Sequence, residues 1–329
     1  MYYIKENYSI APFTTFKIGG KVKYFVNINN LEQIDELFNE IKETKLPVVF
    51  LGGGSNVLFS SAGFNGWVLK FEADQLDQND NVFDVEAGVE LSKLVQKSIK
   101  EGYKGLEKLT GIPGTLAGAI RGNAGAFGTD IGRYVQEVLY LDFQDGNFGS
   151  LNNKDCQFSY RKSFFSDNKN FLILRVRLKL EKDSPQKLKK QVKEISKLRK
   201  KMACYKHPSA GSIFKNLPIE KLEKLPIFQG KKNKQLKELI KNYYTEKKLK
   251  DQGKKLKDIN FIPAGYLIEK VGLRGRTIGR AQISPMHCNV IYNLGNAASS
   301  EVIQLISFAK ARVRDEFGIK LEEEVVFVG

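Results

Sequence analysis

A serine with no obvious activating group stands in the stretch HPSAGSIFKN, residues 207–216. A nucleophilic serine needs a base within hydrogen-bonding reach, usually a histidine held by a carboxylate, and often sits in a G-x-S-x-G turn. That turn is absent, and the chain has two histidines, His207 and His287. A serine hydrolase would therefore need folding to bring one of them to Ser212. The local pattern alone assigns Ser212 no role.

Three glycine-rich stretches lie in the first half of the chain: FKIGG at 16–20, LGGGSN at 51–56 and TGIPGTLAGAIRGNAGAFG at 110–128. Glycines allow positive φ and close approach of the backbone to a ligand, and consecutive N–H groups can hold a phosphate. LGGGSN departs from the G-x-G-x-x-G fingerprint, and no G-K-[ST] follows it. One such stretch more often marks a structural turn, but three together favour a ligand site, with a pyrophosphate as the expected ligand.

Charged side chains offer further candidates. Arg161 lies among aromatic and hydroxyl residues in FSYRKSFF, where it is either a solvated arginine at a strand edge or a clamp on a carboxylate. The run Glu322–Glu324 is by default a solvent-facing patch. Strand alternation would place Glu322 and Glu324 on one face and Glu323 on the other, so at least one could point into a cleft. His287 fits a structural role as well as a ligand contact.

Strands and helices that could carry these residues alternate along the chain. Asn30 is expected to cap a helix at 31–44, with Gln33 completing the cap. A short apolar run at 46–51 predicts a buried strand that leads into LGGGSN. A strand is expected at 81–88, a helix at 91–102 closed by Gly102, and a strand at 171–180.

The second half begins with a predicted helix whose start is marked by Ser184 and Pro185. Its apolar residues recur at spacings of three and four, and the helix is the natural linker between two domains. A helix from Ser300 to Phe317, stopped by Gly318, and a closing strand LEEEVVFVG end the chain.

Composition limits the possible partners. The chain has 329 residues and a net charge of +16, which suggests nucleic acid. However, residues 217–260 alone hold 13 lysines against six acidic residues, and excess charge confined to one segment is more typical of a solvated helical face. The start has no signal-peptide pattern and no apolar run could span a bilayer, so we expect a cytoplasmic protein with no membrane partner.

Cysteine and histidine usage argues against a metal. Three widely separated cysteines, Cys156, Cys204 and Cys288, form no C-x-x-C pair, and two histidines are too few to complete a zinc site. We expect the cysteines to be reduced, buried thiols.

Seven segments in order resemble UDP-N-acetylenolpyruvoylglucosamine reductases, the flavoenzymes of peptidoglycan precursor synthesis, in the shorter of two known forms. The resemblance covers nearly the whole chain apart from about 218–260. The segments are FTTFKIGGKVKYFV, VVFLGGGSNVLF, TGIPGTLAGAIRGNAGAFG, FSYRKSFF, PSAGSIFKN, AGYLIEKVGLRG and LEEEVVFVG. The chain departs from the family at Ala117, where a glycine is usual.

The resemblance implies a reaction. In that family FAD takes a hydride from NADPH and passes it to the enolpyruvyl group of UDP-N-acetylglucosamine enolpyruvate, giving UDP-N-acetylmuramate. The serine that matches Ser212 donates the proton, so it needs no activating base. The family's arginine and glutamate match Arg161 and Glu324, which would stabilise the developing enolate. Tyr160 and Asn216 match substrate-binding positions, and we add His287 to them.

The resemblance also implies a fold. We expect an α+β protein with the FAD-binding fold of the vanillyl-alcohol-oxidase type, not a Rossmann fold. The FAD-binding region would be 1–183, in two α/β subdomains of about 1–70 and 71–183, followed by a linker helix at 184–204. The α+β substrate-binding domain would be 205–329, with a lysine-rich insertion at about 218–260. FAD would be held by Gly52, Gly53, Gly54, Ser55, Asn56, Gly111, Ile112, Pro113, Gly114, Thr115, Gly118, Asn123 and Gly125.

Two alternatives remain at this point. A related FAD oxidase would oxidise an alcohol and return electrons to oxygen. A basic nucleic-acid-binding protein would use the lysine-rich insertion, although we expect no nucleic-acid partner.

Overall fold

A computed structural model of the chain describes residues 2–30, 32–202, 206–224, 233–244 and 260–329. The chain divides into two units, one of residues 1–203 with 327–329 and one of residues 204–326. Each unit is built around its own buried residues, and each is described separately below.

The first unit contains most of the strands. They are β1 Ile4–Ser9, β2 Lys21–Ile28, β3 Val48–Leu51, β4 Val57–Phe59, β5 Phe64–Phe71, β6 Leu76–Asn79, β7 Val82–Glu86, β8 Tyr103–Lys104, β9 Gly125–Ala126, β10 Thr129–Asp130, β11 Val135–Asp142, β12 Phe148–Asn152, β13 Phe171–Lys179 and β14 Glu181–Lys182.

Two sheets of different type organise this unit. The first has the order β1-β2-β5-β3, in which β1 is antiparallel to β2 while β2 and β3 both run parallel to β5. The second has the order β12-β11-β13-β7-β6 and is antiparallel throughout. Short pairs join β8 to β14 and β9 to β10.

One buried cluster connects the two sheets. It contains Trp67 and Leu69 from the first sheet and Val85 and Val176 from the second, together with apolar residues of the helices. Because side chains of both sheets share this core, the glycine loops that leave the strands are carried on a common apolar base.

The helices predicted at 31–44, at 91–102 and after Ser184 are present in the first unit to within one or two residues, and two short helices that were not predicted accompany them. They are α1 Glu32–Thr44, α2 Leu91–Lys100, α3 Leu116–Arg121, α4 Phe164–Asp167 and α5 Pro185–Met202. At the start of α1 the Asn30 side chain accepts the Gln33 N–H at 3.0 Å, and the Gln33 side chain accepts the Asn29 N–H at 2.9 Å. This satisfies two amide donors near the start of the helix. Gly102, beyond α2, has φ +77°.

The second unit is smaller and mixed. Its elements are β15 Leu217–Pro218, α6 Ile219–Glu223, α7 Asn233–Tyr243, β16 Phe261–Ile262, α8 Ala264–Lys270, β17 Thr277–Ile278, β18 Ala281–Ile283, β19 Ile291–Asn293 and α9 Ser299–Phe317. Strands β17, β18 and β19 form an antiparallel sheet, on which α9 packs. Helix α9 ends at Gly318, whose φ is +65° and whose N–H reaches the Arg314 carbonyl at 2.7 Å.

The end of the chain differs from the predicted strand over LEEEVVFVG. The regular strand, β20, covers Val326–Val328 and pairs with β4. Residues 321–325 instead follow the Ser212 segment and form a single bridge through Glu323. The predicted regular strand therefore does not include Glu322, Glu323 and Glu324, because these residues bond to the Ser212 segment, which is distant in the sequence, and not to a sheet.

The strand that leads into LGGGSN also differs from expectation. It was predicted to be buried, but β3 is the edge of its sheet, and Leu51 is its one buried residue. Cys156 and Cys288 are buried and free, as predicted, whereas Cys204 lies outside the described residues. Of the lysine-rich insertion, residues 218–224, 233–244 and 260 are described. None of the helices in the described ranges is long and apolar enough to cross a membrane.

Candidate active site

The glycines of the loop after β3 are required for contact with a second loop. A Cβ on Gly52 would lie 2.5 Å from the Thr115 hydroxyl oxygen, and one on Gly53 would lie 2.5 Å from the Gly114 Cα. Gly54 has φ +62° and its Cβ would collide with the Phe13 carbonyl. The absence of side chains at all three positions lets the loops of residues 52–56 and 111–115 touch.

The same loop presents amide donors. Within the described part of the chain, the N–H groups of Gly53, Gly54 and Ser55 have no acceptor, although Gly54 is buried. The Ser55 hydroxyl donates to the Pro113 carbonyl at 3.1 Å and holds the two loops together. Consecutive N–H groups without protein acceptors fit an anion such as a phosphate.

The loop of residues 111–115 continues into α3. Gly111 and Gly114 have φ +78° and +114°, which favour glycine, and Ile112 and Pro113 complete the turn. The Thr115 hydroxyl accepts the Gly118 N–H at 3.5 Å. Ala117, where the family usually has glycine, packs its methyl group against the buried core, whereas Gly118 is exposed. The extra methyl group therefore points into the protein's own core.

Asn123 is held by the protein through both ends of its side-chain amide. Its oxygen accepts the Gly132 N–H at 3.0 Å and its nitrogen donates to the Ser159 carbonyl at 2.8 Å, with 3% of the residue exposed. A contact between Asn123 and a cofactor would have to use the backbone. Close by, Gly125 allows β9 to approach the Thr129 carbonyl of β10.

The Asn123 bond to Ser159 anchors the turn that carries Arg161. Ser159 and Lys162 exchange two backbone hydrogen bonds of 3.0 and 3.1 Å, which leaves Tyr160 and Arg161 at the tip. Arg161 has φ +55°, an uncommon value for a residue with a side chain, and its guanidinium carbon lies 5.6 Å from the centre of the Tyr160 ring. The turn thus presents a cation and an exposed phenol side by side.

Ser212 lies in the second unit, between two other extended segments. Ser212 forms a bridge with Val290 on one side, and Phe214 forms one with Glu323 on the other. The Glu324 N–H donates to the Ile213 carbonyl at 2.7 Å, and the Lys215 N–H donates to the Glu322 carbonyl at 2.9 Å. The backbone of Glu324 is therefore bonded to the residue that follows Ser212.

The three glutamates have different surroundings. Glu323 pairs with Lys310 at 2.7 Å, and Glu322 is exposed, at 65% of its side chain. Glu324 is half-buried beside the Ser212 segment. This arrangement singles out Glu324 as the glutamate nearest to Ser212 along the bonded backbone.

Neither histidine supplies a base for Ser212. Within the described residues no hydrogen bond joins a histidine to the Ser212 hydroxyl; His207 packs against the Tyr292 ring, and the His287 Nδ1 accepts the Asn289 N–H at 3.3 Å. Burial lowers the pKa of His287, with Arg274 adding to the effect, so the ring is neutral at pH 7. The arrangement argues against a nucleophilic serine and leaves proton donation open.

Asn216 and His287 also have structural partners. The Asn216 side chain accepts the Ala264 N–H at 3.3 Å, at the start of α8. The His287 backbone N–H donates to the Ser284 hydroxyl at 3.1 Å. Both residues are half-buried, so part of each side chain remains accessible.

Asn289 is a residue of this site that the sequence did not indicate. Its side chain accepts the Phe214 N–H at 2.9 Å and donates to the Phe214 carbonyl at 2.7 Å. Its own carbonyl accepts the Ile213 N–H at 2.8 Å. The Asn289 side chain thus makes the two backbone hydrogen bonds that a neighbouring strand would make, and it fixes the backbone two residues after Ser212. Nothing in the sequence around Asn289 indicates this long-range contact.

Comparison with known proteins covers both units. A family model described as the C-terminal domain of UDP-N-acetylenolpyruvoylglucosamine reductase matches residues 203–328, and one described as an FAD binding domain matches residues 22–151. The α+β class, with an FAD-binding domain followed by a C-terminal domain, is thereby confirmed.

Full-length relatives agree. Proteins named UDP-N-acetylenolpyruvoylglucosamine reductase from Anoxybacillus flavithermus and Caldicellulosiruptor saccharolyticus are 32% and 33% identical to the chain, covering 99% and 97% of it and 94% and 90% of their own lengths. The crystal structure of the enzyme of that name from Thermus caldophilus is 27% identical, with a TM-score of 0.73 and 100% of both chains covered.

Proposed function

The chain belongs to the UDP-N-acetylenolpyruvoylglucosamine reductase family, and from this we propose that it reduces UDP-N-acetylglucosamine enolpyruvate to UDP-N-acetylmuramate in peptidoglycan precursor synthesis. It is an FAD-containing oxidoreductase. Bound FAD supplies the redox chemistry, accepting a hydride from NADPH and delivering it to the enolpyruvyl double bond. The amide donors of residues 53–55 and the loop of residues 111–115 would hold its pyrophosphate and flavin.

We propose that Ser212 donates the second hydrogen of the reaction as a proton. Hydride addition places negative charge on the carbon next to the substrate carboxylate, and a hydroxyl within hydrogen-bonding distance can protonate that carbon. The observation that carries this assignment is the pairing of the Ser212 segment with Glu324 through the 2.7 Å bond to Ile213, without a histidine partner. Glu324 would supply a hydrogen bond or return a proton to the serine.

Arg161 would stabilise the enolate. Its guanidinium offers several N–H donors in a fixed plane, and the two-residue turn holds it beside Tyr160. Tyr160 would contact the substrate, as would Asn216 and His287 in the second unit. The division of the chain near residue 203 supports an FAD-binding region of 1–183, a linker helix at 184–204 and a substrate-binding domain of 205–329.

The site of action and partners follow from the reaction. We place the enzyme in the cytoplasm, because NADPH and nucleotide sugars are made there. A nucleic-acid partner is left out of the proposal: Lys224 pairs with Glu220 at 2.8 Å, and Lys237 and Lys241 occupy exposed positions of α7, as in a solvated helix.

The test follows the flavin absorbance through both half-reactions without oxygen. The wild-type protein should lose its yellow colour with NADPH and recover it when the enolpyruvyl UDP-sugar is added. Ser212→Ala should bind FAD and be reduced normally, but be reoxidised by the sugar about 10²- to 10⁴-fold more slowly.

Ser300→Ala, an exposed serine of the same unit, is the matched control and should behave as wild type. Normal reoxidation of Ser212→Ala would remove that serine from the mechanism. Rapid reoxidation of the wild-type flavin by air alone would favour an FAD oxidase.

A further inference from the structure

Arg199 lies near the end of α5, and part of its guanidinium is buried. Its Nε and Nη2 atoms are both buried, and neither has a hydrogen-bond partner in the described part of the chain. Burying a charged donor without a partner costs far more free energy than leaving it in water. A partner that is not part of the described protein would remove this penalty.

Arg121 shows how the same unit treats a structural arginine. Its guanidinium donates to the Phe165 carbonyl and, at 2.7 Å, to the Phe171 carbonyl. Burial lowers the pKa of Arg121 to about 10, yet its donors are paired with backbone oxygens. Arg199 lacks such acceptors, so its environment differs from that of a buried structural arginine.

Arg199 reaches between the two ends of the glycine-rich stretch at 110–128. A Cβ on Gly111 would lie 3.0 Å from the Arg199 Cδ, so a glycine at that position leaves room for the arginine side chain. The Arg199 guanidinium carbon lies 5.5 Å from the centre of the Phe127 ring. The arginine therefore touches both the 111–115 loop and the β9–β10 turn.

Phe127 is itself held in an unusual way. Phe127 and Gly128 form the two-residue turn between β9 and β10, with φ +52° and +81°. Positive φ in a bulky residue is a genuine outlier, and the ring is 45% exposed. Such strain is typical of ligand sites, where an exposed ring gains its partner on binding.

We infer that Arg199 is a cofactor-binding residue, which donates hydrogen bonds from Nε and Nη2 to oxygen acceptors of bound FAD. These two nitrogens form one edge of the guanidinium and offer parallel donors, a geometry that suits two neighbouring acceptors on an anionic group. The acceptors belong either to the pyrophosphate or to the pyrimidine edge of the flavin ring. This inference rests on the proposed function, since it takes FAD to be the ligand.

The test compares Arg199→Met, Arg199→Lys and the control Lys197→Met, which removes one exposed charge from the same helix. Each full-length protein is stripped of FAD, and its dissociation constants for FAD and for ADP are measured, together with the unfolding of the FAD-free protein. Arg199→Met should raise the FAD dissociation constant about 10- to 100-fold, and Arg199→Lys less, while Lys197→Met leaves it unchanged.

The FAD-free protein distinguishes ligand binding from a structural role. Because the guanidinium is unpaired without FAD, Arg199→Met should unfold at the same or a higher urea concentration than wild type. A structural arginine would instead give a less stable FAD-free protein with an unchanged FAD dissociation constant. That result would overturn the inference. An FAD dissociation constant of Arg199→Met within twofold of the wild-type value would overturn it as well.

The two possible acceptors give different results. If the pyrophosphate is the partner, ADP binding weakens together with FAD binding and the reduction potential of the bound flavin stays the same. If the flavin ring is the partner, ADP binding is unchanged and the reduction potential of the bound flavin falls. The fall is about 30 mV for each factor of ten by which the protein loses its preference for reduced over oxidised flavin. A wild-type protein that binds no FAD would overturn the proposed function itself, independently of Arg199.

Discussion

Removing the Asn289 side chain should loosen the backbone around Ser212 without touching any ligand directly. Asn289→Ala deletes both hydrogen bonds to Phe214, which is 2% exposed, and leaves a buried N–H and a buried carbonyl without partners. Each unsatisfied group costs about 1–3 kcal/mol. Water entering the vacated space can replace part of this, which favours a total of about 2–3 kcal/mol.

Amide hydrogen exchange measures this cost where it arises. Exchange in residues 212–216 should become about 30- to 150-fold faster in Asn289→Ala, because 1.4 kcal/mol corresponds to a factor of ten. Asn289→Asp keeps the acceptor for the Phe214 N–H but buries a carboxylate against the Phe214 carbonyl oxygen, so its effect should be at least as large. Asn242→Ala, an exposed residue of α7, serves as the control and should leave exchange in this segment unchanged.

The flavin half-reactions then separate positioning from general damage. Reduction by NADPH should stay at the wild-type rate, while reoxidation by the UDP-sugar should slow about 100-fold, since a small displacement of a reacting group has that effect. If the exchange rate in residues 212–216 stays within threefold of wild type, the Asn289 side chain does not hold this backbone in place. Faster exchange with a normal rate of reoxidation would show that the Asn289–Phe214 hydrogen bonds stabilise the backbone but are not needed for catalysis.

Two further predictions concern the loops and the pH. Gly53→Ala should separate the loops of residues 52–56 and 111–115, since its Cβ would lie 2.5 Å from the Gly114 Cα; we expect a loss of about 1–3 kcal/mol in unfolding free energy and weaker FAD binding. Gly272→Ala is the control for a general loss of stability: its Cβ meets nothing within 4 Å but its φ of +76° makes alanine strained, so it should lower the unfolding free energy and keep wild-type FAD binding. Burial lowers the pKa of His287 below its usual 6.5, so the stability that its neutral form contributes is present above pH 6.5 and is lost as the pH falls through the folded-state pKa. Urea unfolding between pH 7.5 and about 5 should show this loss in wild type and a flatter dependence in His287→Gln; equal slopes would contradict it.

Local signals in the sequence were sufficient for α1, α2, α5 and α9, whereas the short helices α3, α4 and α8 were not predicted. Asn30 with Gln33 at the start of α1, and Gly318 after α9, act through neighbours within a few residues, and the structure has both. The predicted burial of β3 was wrong because an edge position depends on which strands pair, not on the apolar run itself. The glutamate run failed as a strand for the same reason, since its bonding partners lie more than a hundred residues earlier.

The sequence indicated some residues of the candidate site and missed others. Ser212, Arg161 and Glu324 were chosen through a family resemblance, and their roles remain predictions. Asn289 and Arg199 escaped notice because neither has a local pattern: one is defined by a contact with Phe214, 75 residues away, and the other by the absence of a partner. Such roles are set by tertiary packing, which a single sequence does not display.

The pairing of β20 with β4 sets the order in which the protein can be completed during synthesis. The Ser60 N–H bonds the Val328 carbonyl at 2.7 Å, so the edge strand β4 receives its partner only after the ribosome has added residue 328. Until then β4 presents an unpaired edge, the kind of surface that promotes aggregation of nascent chains. Because residues 204–326 are translated between these two strands, β4 waits for its partner during most of the synthesis of the chain.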